Sequence, residues 1–493
     1  MITFLISIAV LIIGYIFYGK FVERVFGPDS SRKTPALTRA DGVDYVPMPA
    51  WKVYMIQFPN IAGTGPIFGA ILGAKFGPSS YLWIVFGCIF AGAVHDYFSG
   101  MLSVRHDGSS MPNIIGHYLG NRTKKLLLVF SVILLLLVGA VFVYSPAEIL
   151  GGLAPLSSNS TFSIMLWVGI VFLYYIVATL VPIDKIIGRF YPVFAFSLLF
   201  MAVALFVCLL VKWPGIPEVW HSAAPDGGPL NIDGSKTFPC LFITIACGAI
   251  SGFHSTQSPL MARCIQDEKL GRPIFFGAMI TEGIVALIWA AVSSYFFFDG
   301  GAAAVGVDLA NPGKGADPGN IVRLVSRDWL GVFGGILAIL GVVAAPITSG
   351  DTALRSARLI FAEAFKVDQK KASKRLAISL PIFLLVGILL WFSIVDKNGF
   401  TIIWRYFGLA NQALSLFVLW TATVYLYKFR KGAYYYIALV PACFMMAVCI
   451  TFLCTAKIGF NLPVVITPYL GIATAVLSYV GFGIIKKRIK REI

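Results

Sequence analysis

Two acids stand inside stretches that are otherwise apolar: Asp96 in FAGAVHDYF and Glu282 in AMITEGIV. A charge in a hydrocarbon core costs at least several kcal/mol unless it is paired, hydrated or protonated, so such an acid is a candidate for carrying a coupling proton or holding a cation. Both fall about nine residues from one expected end of their stretch, a depth of about 14 Å at 1.5 Å per helical residue. The plainer reading pairs them structurally with an Arg, with His95 or with helix-end donors. His254, in FITIACGAISGFHSTQSP, adjoins Ser255, Thr256 and Gln257 at an interrupted helix. There it reads as a proton carrier or substrate ligand, against the alternative of a hydrogen-bonded structural residue. Thr348, Ser349 and Asp351 in AAPITSGDTALR add hydroxyl and carboxylate oxygens at an expected helix break. Oxygen ligands suit Na⁺, Asp351 equally suits a proton route, and an ordinary helix end is the alternative.

A different chemistry is written in QFPNIAGTGPIFGAILGAKFG, Gln57 to Gly77. Helix-interior Pro costs about 3 kcal/mol and Gly about 1 relative to Ala, so Gly63, Thr64, Gly65 and Pro66 do not continue a smooth helix. Pro is favoured in a first helical turn, with Thr or Gly before it as cap. The expected product is a half-helix starting near Pro66 whose free N–H groups attract a substrate carboxylate, with Asn60 nearby. Gly65, Gly69, Gly73 and Gly77 recur every four residues, the pattern of a close-packing small-residue face. The second interrupted stretch supplies Gly248, Ser251, Gly252, Phe253, His254 and Ser255 as its counterpart.

These residues need a scaffold, and composition defines it. Of 493 residues, 58% are apolar and 13% charged, about half the charge of a soluble domain. The chain reads as an all-α polytopic membrane protein with about 13 hydrophobic stretches long enough to cross a core of about 30 Å. With the N-terminus outside, most of the 39 Lys and Arg fall in cytoplasmic loops and in the tail KKRIKREI, as the positive-inside rule requires. The net charge of +16 is therefore a topology signal, and because it is spread over short loops it does not suggest a nucleic-acid surface. The first stretch lacks a basic start and a small-residue cleavage site, so it reads as a retained helix.

Four sections follow: 1–52, a first span and cytoplasmic loop; 53–211 and 237–427, two five-span runs of opposite direction, each opening on an interrupted span; and 432–493, two peripheral spans and a basic cytoplasmic tail. That is the pattern of a five-plus-five inverted repeat with broken helices. Residues 351–375 read as an amphipathic cytoplasmic helix, too charged to cross, and 300–327 as an irregular outer loop. Arg405 is expected to snorkel to the outer interface. Eight Cys without C-x-x-C spacing argue against a zinc site or disulfide framework. No G-x-x-x-x-G-K-[ST] motif points to ATP. With no nucleophile, metal or nucleotide motif, the chain does not read as an enzyme.

The runs VDYVP, NIAGTGPIFGAILGAKFG, FAGAVHD, ACGAISGFHS, GAMITEGIVALIW, DTALRSAR and RYFGLANQALS resemble the carbon starvation protein A (CstA) family and occur in its order. The resemblance implies a bacterial inner-membrane secondary transporter related to the amino acid, polyamine and organocation superfamily. Members are associated with peptide uptake under carbon limitation, and some with pyruvate. It also implies a sodium site built from Thr348 and Ser349 with carbonyls around Ala62 and Gly65, and allows Asn411 of the Ala-Asn-Gln word as a substrate contact. Long members carry a histidine pair where this chain has Ile56 and Gln57, and further C-terminal spans. The expectation is alternating-access transport of a peptide or pyruvate-like carboxylate, coupled to H⁺ or Na⁺ and needing no cofactor. Partners are the small substrate and membrane lipids; oligomeric state is not encoded legibly. A small-solute channel and a nutrient receptor are the alternatives of another class.

Overall fold

The computed structural model describes residues 1–180, 187–220, 230–310, 316–369, 371–396, 399–457 and 459–492. Among them there is no strand. In chain order the main helices are α1 (Ile2–Phe26), the half-helices α2 (Ala50–Ile61) and α3 (Gly65–Gly73), and α4 (Ser79–Arg105). Next come α5 (Met111–Leu119), α6 (Asn121–Leu153), α7 (Ser160–Leu180) and α8 (Ile187–Lys212). The half-helices α9 (Thr237–Thr244) and α10 (His254–Ala262) precede α11 (Glu268–Phe298) and α12 (Pro318–Ala364). The chain closes with α13 (Ala372–Val395), α14 (Gly399–Phe429), α15 (Tyr436–Thr455) and α16 (Thr467–Glu492). Among the described residues eleven helices are long and apolar enough to cross a membrane, and the two interrupted segments stand apart from that count.

Burial separates core from periphery. The apolar stretches of α4 and α11 are each 83% buried, whereas that of α16 is 11% buried and presents its apolar side chains outward. A helix apolar on every side and buried on few is one that meets lipid. α3 and α12 pack on α11, and α10 and α14 pack on α4.

The structure corrects the sequence reading of 351–375. Residues 351–364 are the last four turns of α12, and Asp351 through Ile360 are all buried. Charge made this segment look like a surface helix. It is accommodated inside because Arg355 and Arg358 meet Asp44 of the loop before α2, at 3.5 and 3.3 Å. The break expected at Thr348–Asp351 is also absent: α12 runs through Pro346, and its one non-helical residue is Gly331, at φ 66 and ψ −168. The hydroxyl of Tyr175 lies 2.8 Å from the Pro346 carbonyl. α12 begins at Pro318, inside the loop expected to extend to 327; residues 311–315 of that loop lie outside the described residues, as does the side chain of Arg405.

Candidate transport site

The first break forms as the Pro and Gly content dictates. The Ala62 N–H still bonds Phe58 O at 2.9 Å, but the Gly63 N–H turns to Ile61 O, which frees the Pro59 carbonyl from the helical ladder. Thr348 Oγ1 and Ser349 Oγ of α12 both reach that carbonyl at 3.0 Å. α3 then starts at Gly65 with Pro66 in its first turn. The hydroxyls expected beside Ala62 and Gly65 in a sodium site are thus bonded to Pro59 O and, one turn back, to Ala345 O. Thr348 and Ser349 lie at this break, and the carbonyl they meet belongs to the residue three before Ala62.

The second break is stitched by α14. Asn411 Oδ1 accepts from Ser251 Oγ at 3.0 Å and from the Phe253 N–H at 2.7 Å, while its carbonyl accepts from the Gly252 N–H at 3.1 Å. Gln412 Nε2 donates to Phe242 O, a carbonyl at the end of α9. Asn411 therefore replaces the backbone bonds lost where the helix opens. Gly252 permits this approach, since a Cβ there would lie 2.3 Å from Asn411 O. Ser255 Oγ and Thr256 Oγ1 turn back onto the carbonyls of Gly252 and Phe253, and Phe253 packs on Phe142.

The two breaks face each other. Cβ atoms on Gly65 and Gly73 would each lie 2.2 Å from Cys247 and Ile245 respectively, and one on Gly69 would lie 3.0 Å from Thr244 O. The small-residue face of α3 is the surface on which the end of α9 rests. Gly248 fits against Ala286 of α11 and lies near Pro66. Gly77, the fourth of the series, instead takes a positive φ of 63° in a turn.

Beside the second break runs a buried chain of ionisable groups. His95 Nδ1 is 2.8 Å from one Asp96 oxygen, and His254 Nδ1 is 2.9 Å from the other. His254 Nε2 lies 3.4 Å from Glu282 Oε2. All four side chains have zero solvent exposure. With Asp96 accepting from both Nδ1–H groups, His254 Nε2 is the basic atom turned toward Glu282, and a proton between them sits on one or the other. At 3.4 Å that transfer needs a small approach or a bridging water. Among the described residues no group of three or more His, Cys, Asp or Glu is arranged to hold a metal ion. Asp351 is buried beside Thr352 on α12 rather than within this chain.

Sequence reasoning found Asp96, Glu282 and His254 but treated His95 only as a structural partner. It noted Gln57 only as standing where long family members carry a histidine; the residue is fully buried one turn before the break, and an amide in an apolar run next to a proline is a readable signal.

A bundle of this kind, with paired broken helices around buried acid and base groups, is that of a multi-pass membrane transporter. Solved structures agree on the fold: a mutant form of the manganese transporter of Eremococcus coleocola superposes with a TM-score of 0.58 at 12% identity, covering 92% of this chain and 99% of that one. The family model described as carbon starvation protein CstA matches residues 1–166, 147–313 and 319–452, and the chain belongs to that family. Among its relatives, an uncharacterized membrane protein of Haemophilus influenzae is 45% identical over 60% of this chain and 91% of its own. The peptide transporter CstA of Campylobacter jejuni is 28% identical over 89% and 78%. The pyruvate/proton symporter BtsT of Escherichia coli is 24% identical over 90% and 80%.

Proposed function

We propose that this protein is a proton-coupled secondary transporter that takes up a small carboxylate-bearing nutrient, a peptide during carbon limitation or a 2-oxo acid such as pyruvate. It works by alternating access in the bacterial inner membrane, with its N-terminus outside and its C-terminus in the cytoplasm. The observation that carries this reading is the chain of Asp96, His254 and Glu282 at the first residue of α10. It offers a coupling proton a place to reside away from water, and it is joined covalently to a helix break.

The cargo carboxylate is assigned to the N-terminal end of α3, at Thr64, Gly65 and Pro66, where unpaired N–H groups and the helix dipole favour an anion. Proton arrival at Glu282 or His254 removes an unpaired buried charge, which favours closure over the loaded site. Loss of the proton to the other side restores that charge and favours opening there. The relatives named for peptide and for pyruvate/proton transport both handle carboxylate-bearing solutes, which supports the cargo class and, in the second case, the ion.

The test is uptake into proteoliposomes of labelled alanyl-alanine and labelled pyruvate under an imposed proton or sodium gradient. At least one solute accumulates above its external concentration with the proton gradient and saturates, which a channel does not produce. Glu282→Gln loses accumulation but keeps exchange of labelled for unlabelled cargo. Accumulation driven by sodium alone and untouched by Glu282→Gln would end the proton reading.

A further inference from the structure

The acid and base chain accounts for the charged groups around the breaks but leaves a set of neutral ones. Gln57 Nε2 and Oε1, Asn60 Nδ2, Thr64 Oγ1, Gln257 Oε1 and Ser258 Oγ are all buried without a hydrogen-bond partner. Each of the five residues has zero exposure. Buried polar groups are ordinarily paired, so this many orphans on two facing half-helices mark the place where a ligand supplies the partners.

Contacts along α12 put them at one level. Pro59 meets Thr348 and Ser349, and Asp44 meets Arg355 and Arg358, so α12 runs antiparallel to the segment that leads into the first break. Thr352 Oγ1 approaches Asn60 Oδ1 at 3.4 Å, and Ser356 Oγ donates to Thr256 O at 2.7 Å. Thr352 and Ser356 are one helical turn apart, about 6 Å. Gln57, one turn before Asn60 on α2, therefore lies alongside the turn of α10 that carries Gln257.

The donor and acceptor inventory then selects the cargo. Gln57 Nε2 and Asn60 Nδ2 donate, the two hydroxyls do either, and Gln57 Oε1 and Gln257 Oε1 only accept. One amide hydrogen of Gln257 is already directed, since its Nε2 donates to Thr256 Oγ1 at 2.8 Å. A 2-oxo acid brings acceptors only and leaves both amide oxygens buried and unpaired. A solute that carries N–H groups as well as its carboxylate offers donors to those oxygens and acceptors to the amide nitrogens. We propose that Gln57 and Gln257 are specificity-determining residues, whose amide oxygens accept from N–H groups of the cargo and so favour peptide-like solutes over 2-oxo acids. This rests on the transporter reading above.

The experiment measures KM for proton-driven uptake of alanyl-alanine and of pyruvate in proteoliposomes of the full chain. Wild type favours alanyl-alanine by at least about tenfold, because a site built to bond N–H groups rejects a ligand that lacks them. Gln57→Met and Gln257→Met, near in size but without the acceptor, each lower that preference about tenfold. Gln57→Glu keeps the acceptor and keeps the preference. Purified variants are checked for a monodisperse elution profile, and should one fail to fold, the other reads the same ratio. Proton-driven uptake with a ratio unmoved by either Met substitution overturns this assignment alone. Absence of proton-driven uptake of both solutes overturns it together with the function on which it rests.

Discussion

Gly65→Ala tests whether the two breaks are held together as described. A Cβ at residue 65 would lie 2.2 Å from the Cys247 sulfur and 2.5 Å from the Cys247 Cβ, and its next neighbour is the Cys247 Cα at 3.9 Å. Ordinary carbon contacts are about 3.5 to 4.0 Å, so the half-helices must part by more than an ångström at this point. Rotating the thiol gives no relief, because the second clash is with Cβ. Overpacking of this kind costs about 1 to 3 kcal/mol or more, against a gain of about 1 kcal/mol for Ala over Gly in a helix. Gly65→Ala alone is therefore destabilising by up to about 2 kcal/mol. In a Cys247→Gly background both short contacts are gone, and only the gain remains, so the same substitution turns neutral or stabilising. Equilibrium unfolding of the purified protein in detergent reads this sign change, and gradient-driven uptake falls in the single variant and recovers in the double. Equal costs in the two backgrounds, within about 0.5 kcal/mol, would refute the packing of α3 on the end of α9.

Three further outcomes are expected. Asp44→Asn removes the carboxylate between the buried Arg355 and Arg358 and costs about 3 kcal/mol in the same unfolding assay. Burial pushes the Asp44 carboxyl up, but the guanidiniums of Arg358, Arg355 and Arg263 outweigh this and hold it below the ordinary carboxylate value. Its stabilisation is thus complete above that value, about 4, and is lost as the pH falls through the lower folded value; the Asn variant lacks this part of the acid slope. Asn411→Leu leaves the Ser251 hydroxyl and the Phe253 N–H without their acceptor, at about 1 to 3 kcal/mol each, and an unfolding change under about 1 kcal/mol would contradict the stitching role. Gly387→Ala places a Cβ in open space within α13, so it stabilises by about 0.5 to 1 kcal/mol.

What could be read from the sequence was local. Pro66 with its preceding glycines located the start of α3, and Gly248 to His254 located the opening before α10, because backbone preference acts on the residues that carry it. Asp96, Glu282 and His254 stood out because an ionisable group in an apolar run is costly wherever the chain goes. Their mutual pairing was hidden, since His254 reaches Asp96 across 158 positions. The error over residues 351–364 has the same origin. Arg355 and Arg358 looked incompatible with burial until Asp44, over 300 residues earlier, was brought beside them. Likewise Pro346 and the small residues after it gave a local signal for a break, and the packing around α12, with the Tyr175 hydroxyl beside the Pro346 carbonyl, holds the helix continuous.

The hydroxyl stripe of α12 has a mechanical meaning. Thr348 and Ser349 cover the freed carbonyl of the first break, and Ser356, two turns further along the same rigid rod, donates to the Thr256 carbonyl in the first turn of α10. A movement of α12 large enough to uncover either opening also disturbs the other. Drawing α12 away from the first opening would leave the Pro59 carbonyl without its two hydroxyl donors. One helix thus ties the two openings together, so that the hydrogen bonds at the first and at the second half-helix depend on the position of the same rod.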